Sequence, residues 1–248
     1  MPGNPVGMRH TRGRMVTTAL AVAAATMALA FAMLTFERWL VRRRPYDLAW
    51  SISLLLFVGG AAGLAWGSAT GWTSMSFRLF YACGAVLNVP FLAAGQLQLQ
   101  LGPRRGGRVM AVTSLLGAFS AGVVLVAPFT AALPPERLPQ GSEVFGPLPR
   151  VLAAVGSGVG ATIVFVGTAV GAIALRRAGR RGVVVVDAGR KTLGLGLLAL
   201  GTIVLSLSGM LNSVLGEMKA FSVTLTLGVT ILFAGFLLSS LPGRDARS

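Results

Sequence analysis

Seven long apolar runs divide this chain, and no other feature restricts its fold as strongly. The runs cover residues 15–36, 48–66, 77–101, 109–133, 151–175, 192–213 and 221–241. Each run reaches the roughly 17–25 residues that an α-helix needs to cross the hydrocarbon core of a bilayer. Only 12% of the residues are charged, well below the roughly 25% usual in soluble domains. The pattern predicts an all-α bundle of seven transmembrane helices, which we call spans 1 to 7.

The polar segments beside the spans define the domain organisation. Residues 1–14 form a polar N-terminal tail, residues 15–241 the seven-helix transmembrane domain, and residues 242–248 a C-terminal tail. Basic residues precede span 1, as they precede a signal peptide. Its apolar stretch is longer than a typical signal core of roughly 7–15 residues, however, which favours retention of span 1 as a membrane helix.

Basic residues in the connecting segments predict the orientation of the bundle. Most of the 22 lysines and arginines fall after spans 1, 3 and 5 or in the C-terminal tail. The positive-inside rule places these segments in the cytoplasm, so the N-terminus lies outside and the C-terminus inside. The expected location is the cytoplasmic membrane. The proline-rich segment 134–150 is then an external loop, and the basic segment 176–191 is a cytoplasmic one.

Span 3 is the most polar of the membrane segments, and it supplies the candidate site. At 100° per residue, its polar side chains Arg78, Tyr81, Asn88 and Gln96 fall within an arc of about 80° on one face. Polar side chains at membrane depth are costly, so they should face protein or water and not lipid. These four residues are the candidate ligand-binding residues, and span 3 is the expected centre of the bundle.

Each residue of this line also has a structural interpretation. Arg78 can extend to the membrane interface, and Tyr81 can be an interfacial aromatic residue. Hydrogen bonds between helices are a sufficient reason for Asn88 and Gln96. Hydroxyl residues on spans 6 and 7 are the predicted partners of the line, although they can also bond to carbonyls of their own helices. They are Thr202, Ser206, Ser213, Ser222, Thr226 and Thr230.

Proline and glycine predict local geometry inside the spans. Pro90 has no N–H to bond the carbonyl of Val86, which predicts a kink beside Asn88. Glycines spaced by four residues let two helix backbones approach closely, and packing within one bundle is the favoured interpretation over a dimer interface. These glycines are Gly59, Gly63 and Gly67 in span 2, and Gly156, Gly160, Gly167 and Gly171 in span 5.

The residue types present exclude several activities. One cysteine, Cys83, and one histidine, His10, provide no metal-ligating cluster. No acidic residue lies in the interior of a predicted span, so the buried carboxylates usual in proton-coupled transporters are missing. The sequence contains no catalytic constellation and no phosphate-binding loop. Basic clusters lie between apolar runs and not on one soluble face. We therefore expect no catalytic residues, no metal, no cofactor and no nucleic-acid partner.

Short motifs in spans 2, 3 and 7 carry a family resemblance. They lie at residues 43–45, 48–50, 71–72, 77–81 with Gly84, and 225–236. These motifs resemble an uncharacterised family of bacterial seven-transmembrane-helix membrane proteins. The chain is also, more weakly, similar to the seven-helix N-terminal sensor region of some histidine kinases, although it has no kinase domain. The resemblance implies a topology and no catalytic residues, and a signalling role would need a separate partner.

The sequence leaves three functions open. The leading hypothesis is a non-enzymatic sensor or a membrane protein that binds a small molecule or a lipid. The alternatives are a transporter or permease that uses the polar line of span 3, and a structural or accessory subunit of a membrane complex. Expected partners are the bilayer, a small-molecule or lipid ligand, and a separate cytoplasmic or membrane protein. A water-filled cavity reaching Asn88 would favour binding.

Overall fold

The protein is helical throughout the part of the chain that the structure describes. A computed structural model describes residues 5–135, 137–180, 189, 193–194, 196–198, 200–205 and 218–240. Its helices are α1 (Pro5–Arg42), α2 (Pro45–Thr70), α3 (Ser74–Phe80), a π-helix (Tyr81–Leu87), α4 (Asn88–Val126), α5 (Gly141–Val144), α6 (Pro147–Arg180), α7 (Gly196–Leu205) and α8 (Met218–Ser240). Four helical segments are long and apolar enough to cross a membrane. The chain is therefore an all-α membrane protein.

The helix boundaries differ from the predicted spans at several points. α1 begins at Pro5 and so includes most of the segment predicted as a polar tail. α6 continues to Arg180, into the segment predicted as a basic loop. The C-terminal tail, 242–248, lies outside the described residues.

α1 and α2 form an antiparallel hairpin. The chain reverses at Arg43, which has a positive φ of 51°. Near the turn, the hydroxyl of Ser51 donates to the carbonyl of Ala32 at 3.1 Å. At the far end of the hairpin, Nε of Arg14 donates to the carbonyl of Ser68 at 3.0 Å. These two hydrogen bonds fix the register of the pair along its whole length.

The longest helical segment, Ser74–Val126, is divided into two arms. It has 53 residues, which would extend about 80 Å as one straight helix, against roughly 30 Å for a hydrocarbon core. The division falls at Gly102, where φ is 75° and ψ is 179°. Only glycine adopts this backbone conformation readily, because a Cβ would clash there. We call residues 74–101 the first arm and residues 103–126 the second arm.

The two arms fold back on each other about Gly102. Close to the turn, Nε2 of Gln98 donates to the carbonyl of Gly106 at 3.3 Å. Farther away, Gly117 of the second arm approaches side chains of the first, and a Cβ on Gly117 would lie 3.3 Å from the ring of Phe91. The paired residues lie at similar distances from the turn, so the arms are antiparallel.

α2 crosses the first arm through a backbone contact. A Cβ on Gly60 would lie 2.8 Å from the Cα of Gly84, and a Cβ on Gly63 would lie 2.7 Å from the backbone nitrogen of Phe80. Gly63 belongs to the four-residue repeat of span 2, so that repeat packs inside the bundle. Gly60, which makes the other of these two backbone contacts, lies outside the repeat.

α6 packs on another side of the first arm and runs parallel to it. A Cβ on Gly160 would lie 2.9 Å from Val89, and a Cβ on Gly167 would lie 2.6 Å from Gln96. The contacts advance by seven residues on both helices, so the helices point the same way. The glycines of span 5 therefore also serve packing within the bundle. With α2, the second arm and α6 around it, the first arm takes the central position expected for span 3.

α8 lies against α1 in parallel and against α7 in the antiparallel direction. Oγ1 of Thr226 donates to the carbonyl of Leu20 at 3.3 Å, and the rings of Phe233 and Phe31 lie 5.3 Å apart. The close glycine approaches between α7 and α8 pair Gly201 with Leu232, Gly228 with Leu205 and Gly235 with Leu198.

The bundle has two chemically different ends. The end that carries the turns at Arg43 and Gly102 is rich in arginine, and we call it the basic end. Its described arginines include Arg38, Arg42, Arg43, Arg44, Arg104, Arg105 and Arg108. The opposite end carries the turn at Gly71 and the segment 127–146, and we call it the capped end.

Candidate functional site

Residues 127–135 and 137–146 fold back over the capped end of the bundle, and we call this segment the cap. The backbone N–H of Thr130 donates to the carbonyl of Val144 at 2.9 Å, and Phe129 and Phe145 form an isolated antiparallel bridge. Leu138, Val144 and Phe145 are buried. The segment that contains most of the predicted external loop therefore packs some of its side chains onto the bundle.

An aromatic cluster joins the cap to the first arm. Phe145 stacks on Phe77 at 5.6 Å between ring centroids and packs against Tyr81 at 5.0 Å. The members of the cluster are Trp72, Phe77, Phe80, Tyr81, Phe129 and Phe145. Aromatic rings bury large apolar areas, so this cluster contributes strongly to the stability of the capped end.

One exposed ion pair joins two residues on the surface of the cap. Arg137 donates to both carboxylate oxygens of Glu143 at 3.0 Å. The hydrogen bond from Arg137 lowers the pKa of the Glu143 carboxyl below its usual value. Because the pair is solvated, we assign it a small share of the stability of the cap.

Arg78 is the side chain that ties the first arm to the second arm and to the cap. Its Nη1 donates to the carbonyl of Val124, and its Nη2 donates to the carbonyl of Ala127 at 2.7 Å. The guanidinium lies over the ring of Phe129, 4.4 Å from the centroid, and 5.8 Å from the centroid of Phe145. A cation bonded to the last carbonyls of a helix complements its C-terminal dipole. Arg78 therefore caps the second arm.

Tyr81 is part of the buried cluster. Its side chain is 8% exposed. A Cβ on Gly141, in the cap, would lie 2.5 Å from the Tyr81 ring. The ring is thus enclosed by protein, which differs from an interfacial aromatic residue facing lipid headgroups.

Asn88 bonds to α2. The hydroxyl of Ser53 donates to Oδ1 of Asn88 at 2.7 Å and also reaches its backbone carbonyl at 2.9 Å. The serine replaces the water that an isolated asparagine would need at membrane depth. This is the interhelical hydrogen bond that the structural interpretation of Asn88 predicts.

Pro90 distorts the first arm in a different way from the predicted one. The π-helix Tyr81–Leu87 precedes it, and the N–H of Asn88 bonds to the carbonyl of Cys83, five residues back. In that register, the carbonyl opposite the missing N–H of Pro90 is that of Ala85. Ser157 of α6 donates its hydroxyl to this oxygen at 2.7 Å. The neighbouring helix thereby repairs the hydrogen bond that proline removes.

Gln96 faces a third neighbour. Its Cγ and Nε2 would lie 2.6 Å from a Cβ on Gly167, so it packs directly on α6. Gln98 points toward the second arm, on the other side of the helix.

The structure therefore does not bring the four candidate residues together. Arg78 faces the second arm and Tyr81 the cap, whereas Asn88 faces α2 and Gln96 faces α6. The π-helix begins at Tyr81 and ends just before Asn88, and it turns less per residue than the 100° of an α-helix. The polar line drawn at α-helical periodicity is consequently broken in the folded protein.

The predicted hydroxyl partners on spans 6 and 7 bond elsewhere. Thr202 donates to the carbonyl of Leu198 in its own helix, and Thr230 donates to that of Thr226. Thr226 reaches α1 and not the first arm. The interpretation that these hydroxyls bond to nearby carbonyls is borne out for Thr202 and Thr230. Ser206 and Ser213 lie outside the described residues.

No protein-family model matches this chain, and no curated protein matches it.

A buried carboxylate at the basic end was missed by the sequence analysis. Asp47 is 0% exposed and lies in the first turn of α2. The predicted span begins at residue 48, whereas the helix begins at Pro45, so Asp47 was counted as part of a loop. The sequence did contain a signal for it, because proline is favoured in the first turn of a helix. Pro45 therefore marks a helix start, and Asp47 follows it in the first turn.

Two other features complete the set of possible sites. An open concavity of about 290 Å³ at the start of α6 is lined by Pro147, Arg150, Val151 and Ala154. Within the part of the chain that the structure describes, no three acidic, cysteine or histidine residues form a group that could hold a metal ion. The candidate site that we take further is the junction at Arg78, where one side chain contacts both the second arm and the cap.

Proposed function

We propose that this chain is a non-enzymatic sensor of the cytoplasmic membrane, in which the cap receives a signal and the first arm carries it to the basic end. The observation that carries the proposal is the position of Arg78. One guanidinium bonds the end of the second arm and lies on a cap ring, while its backbone belongs to the first arm. Movement of the cap would therefore change forces on the central helix directly.

The π-helix supplies an element that can change state. A π-helical turn contains one more residue than an α-helical turn, and such turns recur at functional sites. Conversion of Tyr81–Leu87 to α-helix would rotate and shift Arg78 relative to Asn88. The hydroxyls of Ser53 and Ser157 donate to backbone carbonyls of this region and so hold the present register. A ligand that binds one register better would shift the population of states.

The proposal includes seven spans and a defined orientation. α2 is antiparallel to α1 and to the first arm, the second arm reverses again, and α6 is parallel to the first arm. α8 is parallel to α1 and antiparallel to α7. These directions support seven crossings that alternate. The arginines of the basic end support a cytoplasmic location for that end, and the cap is then external.

Labelling of single cysteines tests the orientation. In a Cys83→Ala background, we expect Ser142→Cys, on the exposed surface of the cap, to react with a membrane-impermeant thiol reagent in intact cells. Gly107→Cys, at the basic end, has open space around its Cβ position. It should be labelled only after the cells are opened. The reverse pattern would contradict the orientation.

Hydrogen–deuterium exchange tests the sensing role itself. Arg78→Leu releases the cap, and a sensor should then exchange faster both in residues 127–146 and in the distant turn at 98–108. Arg150→Leu is the matched control, because Arg150 is an exposed arginine at the same end. Faster exchange confined to the cap would mean that the first arm does not carry the change to the basic end. That result would refute the proposed sensor function.

A structural or accessory subunit is the second candidate. The observation in its favour is that Arg78, Tyr81, Asn88 and Gln96 all contact other parts of the chain, as a rigid scaffold requires. The same contacts weigh against a permease that uses these residues as a path. Exchange confined to the cap in the preceding experiment would favour this accessory role.

Either role requires partners. The resemblance to seven-helix sensor regions supports a separate cytoplasmic or membrane protein that receives the signal. A small molecule or lipid is the proposed ligand at the cap, and mass spectrometry of the protein purified in mild detergent would identify what remains bound.

A further inference from the structure

Asp47 is a buried acid whose carboxylate oxygens accept no hydrogen bond from the described residues. Nη2 of Arg38 lies 3.5 Å from Oδ1, which is an ion pair at longer than hydrogen-bonding distance. A carboxylate can accept about four hydrogen bonds. Leaving a buried acceptor without a donor costs about 1–3 kcal/mol, and more for a charged group. Among the described residues, neither carboxylate oxygen of Asp47 therefore receives a hydrogen bond.

Gln98 adds a further acceptor at the same level of the bundle. It is 6% exposed, and its Oε1 has no donor among the described residues. Trp50 packs on Gly95, which sets the register of α2 against the first arm. One turn before Trp50 is Asp47, and one turn after Gly95 is Gln98. The antiparallel register thus places the two acceptors at the same level of the bundle, with Asp47 toward Arg38 of α1 and Gln98 toward Gly106 of the second arm.

The charges around Asp47 indicate which ligand the two acceptors can bind. A metal cation would be repelled by Arg38 and by the neighbouring Arg42 and Arg44, which also act on the Asp47 carboxylate. An anion would bring no hydrogen-bond donors. Water is neutral, donates two hydrogen bonds, and occurs buried where polar groups lack partners. Water satisfies these acceptors without adding charge repulsion, and it also carries the proton that a carboxylate binds.

We propose that Asp47 is the proton-binding group of a hydrated site at the basic end of the bundle, and that Gln98, at the same level, is a second acceptor for the water of that site. Water donates hydrogen bonds to both side chains, and hydronium transfers one proton to the Asp47 carboxylate, which leaves a neutral acid and water. Arg38 and Arg42 act on the site from α1 and Arg44 from the turn before α2, whereas the first arm contributes the uncharged Gln98. This site lies at the opposite end from the proposed cap sensor and does not depend on it.

The second arm adds further charges near this end without entering the site. Arg104, Arg105 and Arg108 follow the turn at Gly102 and are exposed. Arg38, Arg42 and Arg44 favour the ionised carboxylate of Asp47, while burial favours the neutral acid. Because the arginines and burial favour opposite forms of the Asp47 carboxyl, binding of one proton changes the charge of the site.

Solid-state NMR of the full chain in proteoliposomes tests the proposal. The sequence has three aspartates, Asp47, Asp187 and Asp245, so labelling aspartate with ¹³C gives three carboxyl resonances. Asp187→Asn and Asp245→Asn assign two of them by loss, and the third belongs to Asp47 without any change at the site. Between about pH 4 and pH 9, we expect the Asp47 resonance to move from its protonated to its ionised position.

Water-edited spectra measure the hydration. We expect magnetisation to pass from water to the Asp47 carboxyl, and the transfer to decrease in Gln98→Leu, which removes one acceptor. An Asp47 resonance that neither moves with pH nor receives magnetisation from water would overturn the proposal. Exchange of sodium for choline at fixed pH should leave the resonance unchanged. A shift on that exchange would assign the site to a metal ion and refute the proton site.

Discussion

Gly60→Val is expected to force α2 and the first arm apart and to lower the melting temperature by about 10 °C. A Cβ at this position would lie 2.8 Å from the Cα and 2.9 Å from the nitrogen of Gly84. Both atoms are backbone, so no side-chain rotation relieves the clash. Overpacking at such a site costs about 3 kcal/mol or more, because the helices must separate.

Gly122→Val provides the matched control. Gly122 also lies inside a helix, and nothing is found within 4 Å of its Cβ position. Thermal unfolding of both variants in the same detergent separates helix packing from the general effect of valine in a helix. Equal melting temperatures for Gly60→Val and the wild type would show that α2 does not approach the first arm so closely.

Arg78→Leu is expected to destabilise the capped end by about 2–4 kcal/mol. The change removes two charge-assisted hydrogen bonds to the carbonyls of Val124 and Ala127 and the cation–π contact with Phe129. Hydrogen bonds to charged groups contribute about 1.5–3 kcal/mol each, and partial exposure of the guanidinium reduces that sum. Thermal unfolding followed by tryptophan fluorescence should show the loss, since Trp72 lies in the adjoining cluster.

Arg78→Lys distinguishes geometry from charge. Lysine keeps the positive charge but lacks the planar fork that donates to two carbonyls at once. We expect it to restore only part of the stability lost in Arg78→Leu. Arg150→Leu, at an exposed arginine of the same end, should leave the melting temperature nearly unchanged. If Arg78→Leu behaves like Arg150→Leu, then Arg78 is an ordinary interfacial arginine.

Apolar length was enough to predict the helical membrane fold, because each crossing must satisfy its backbone groups internally. The polar side chains of span 3 predicted the central position of the first arm, and the four-residue spacing of the glycines predicted their packing role. Apolar length could not predict where helices begin, since Pro5 and Pro45 extend α1 and α2 beyond their apolar parts. Asp47 was misplaced for that reason.

The candidate site could not be predicted because its geometry depends on one local departure from α-helix. A helical wheel assumes a constant 100° per residue, and the π-helix Tyr81–Leu87 violates that assumption between Tyr81 and Asn88. Pro90 signalled a distortion, but not whether the chain would kink or add a residue to a turn. The cap was also beyond prediction, since the pairing of Phe129 with Phe145 joins residues from opposite ends of a loop.

The tight reversal at Gly102 has implications for how the protein enters the bilayer during synthesis. The first arm alone would expose Arg78 and Asn88 to lipid, and an arginine inside a span opposes insertion by up to about 2.5–3.5 kcal/mol. The second arm follows after a single residue and brings the carbonyls that Arg78 bonds. We therefore expect the translocation machinery to release residues 74–126 into lipid as one preformed helical pair, while Arg104 and Arg105 hold the turn at the surface.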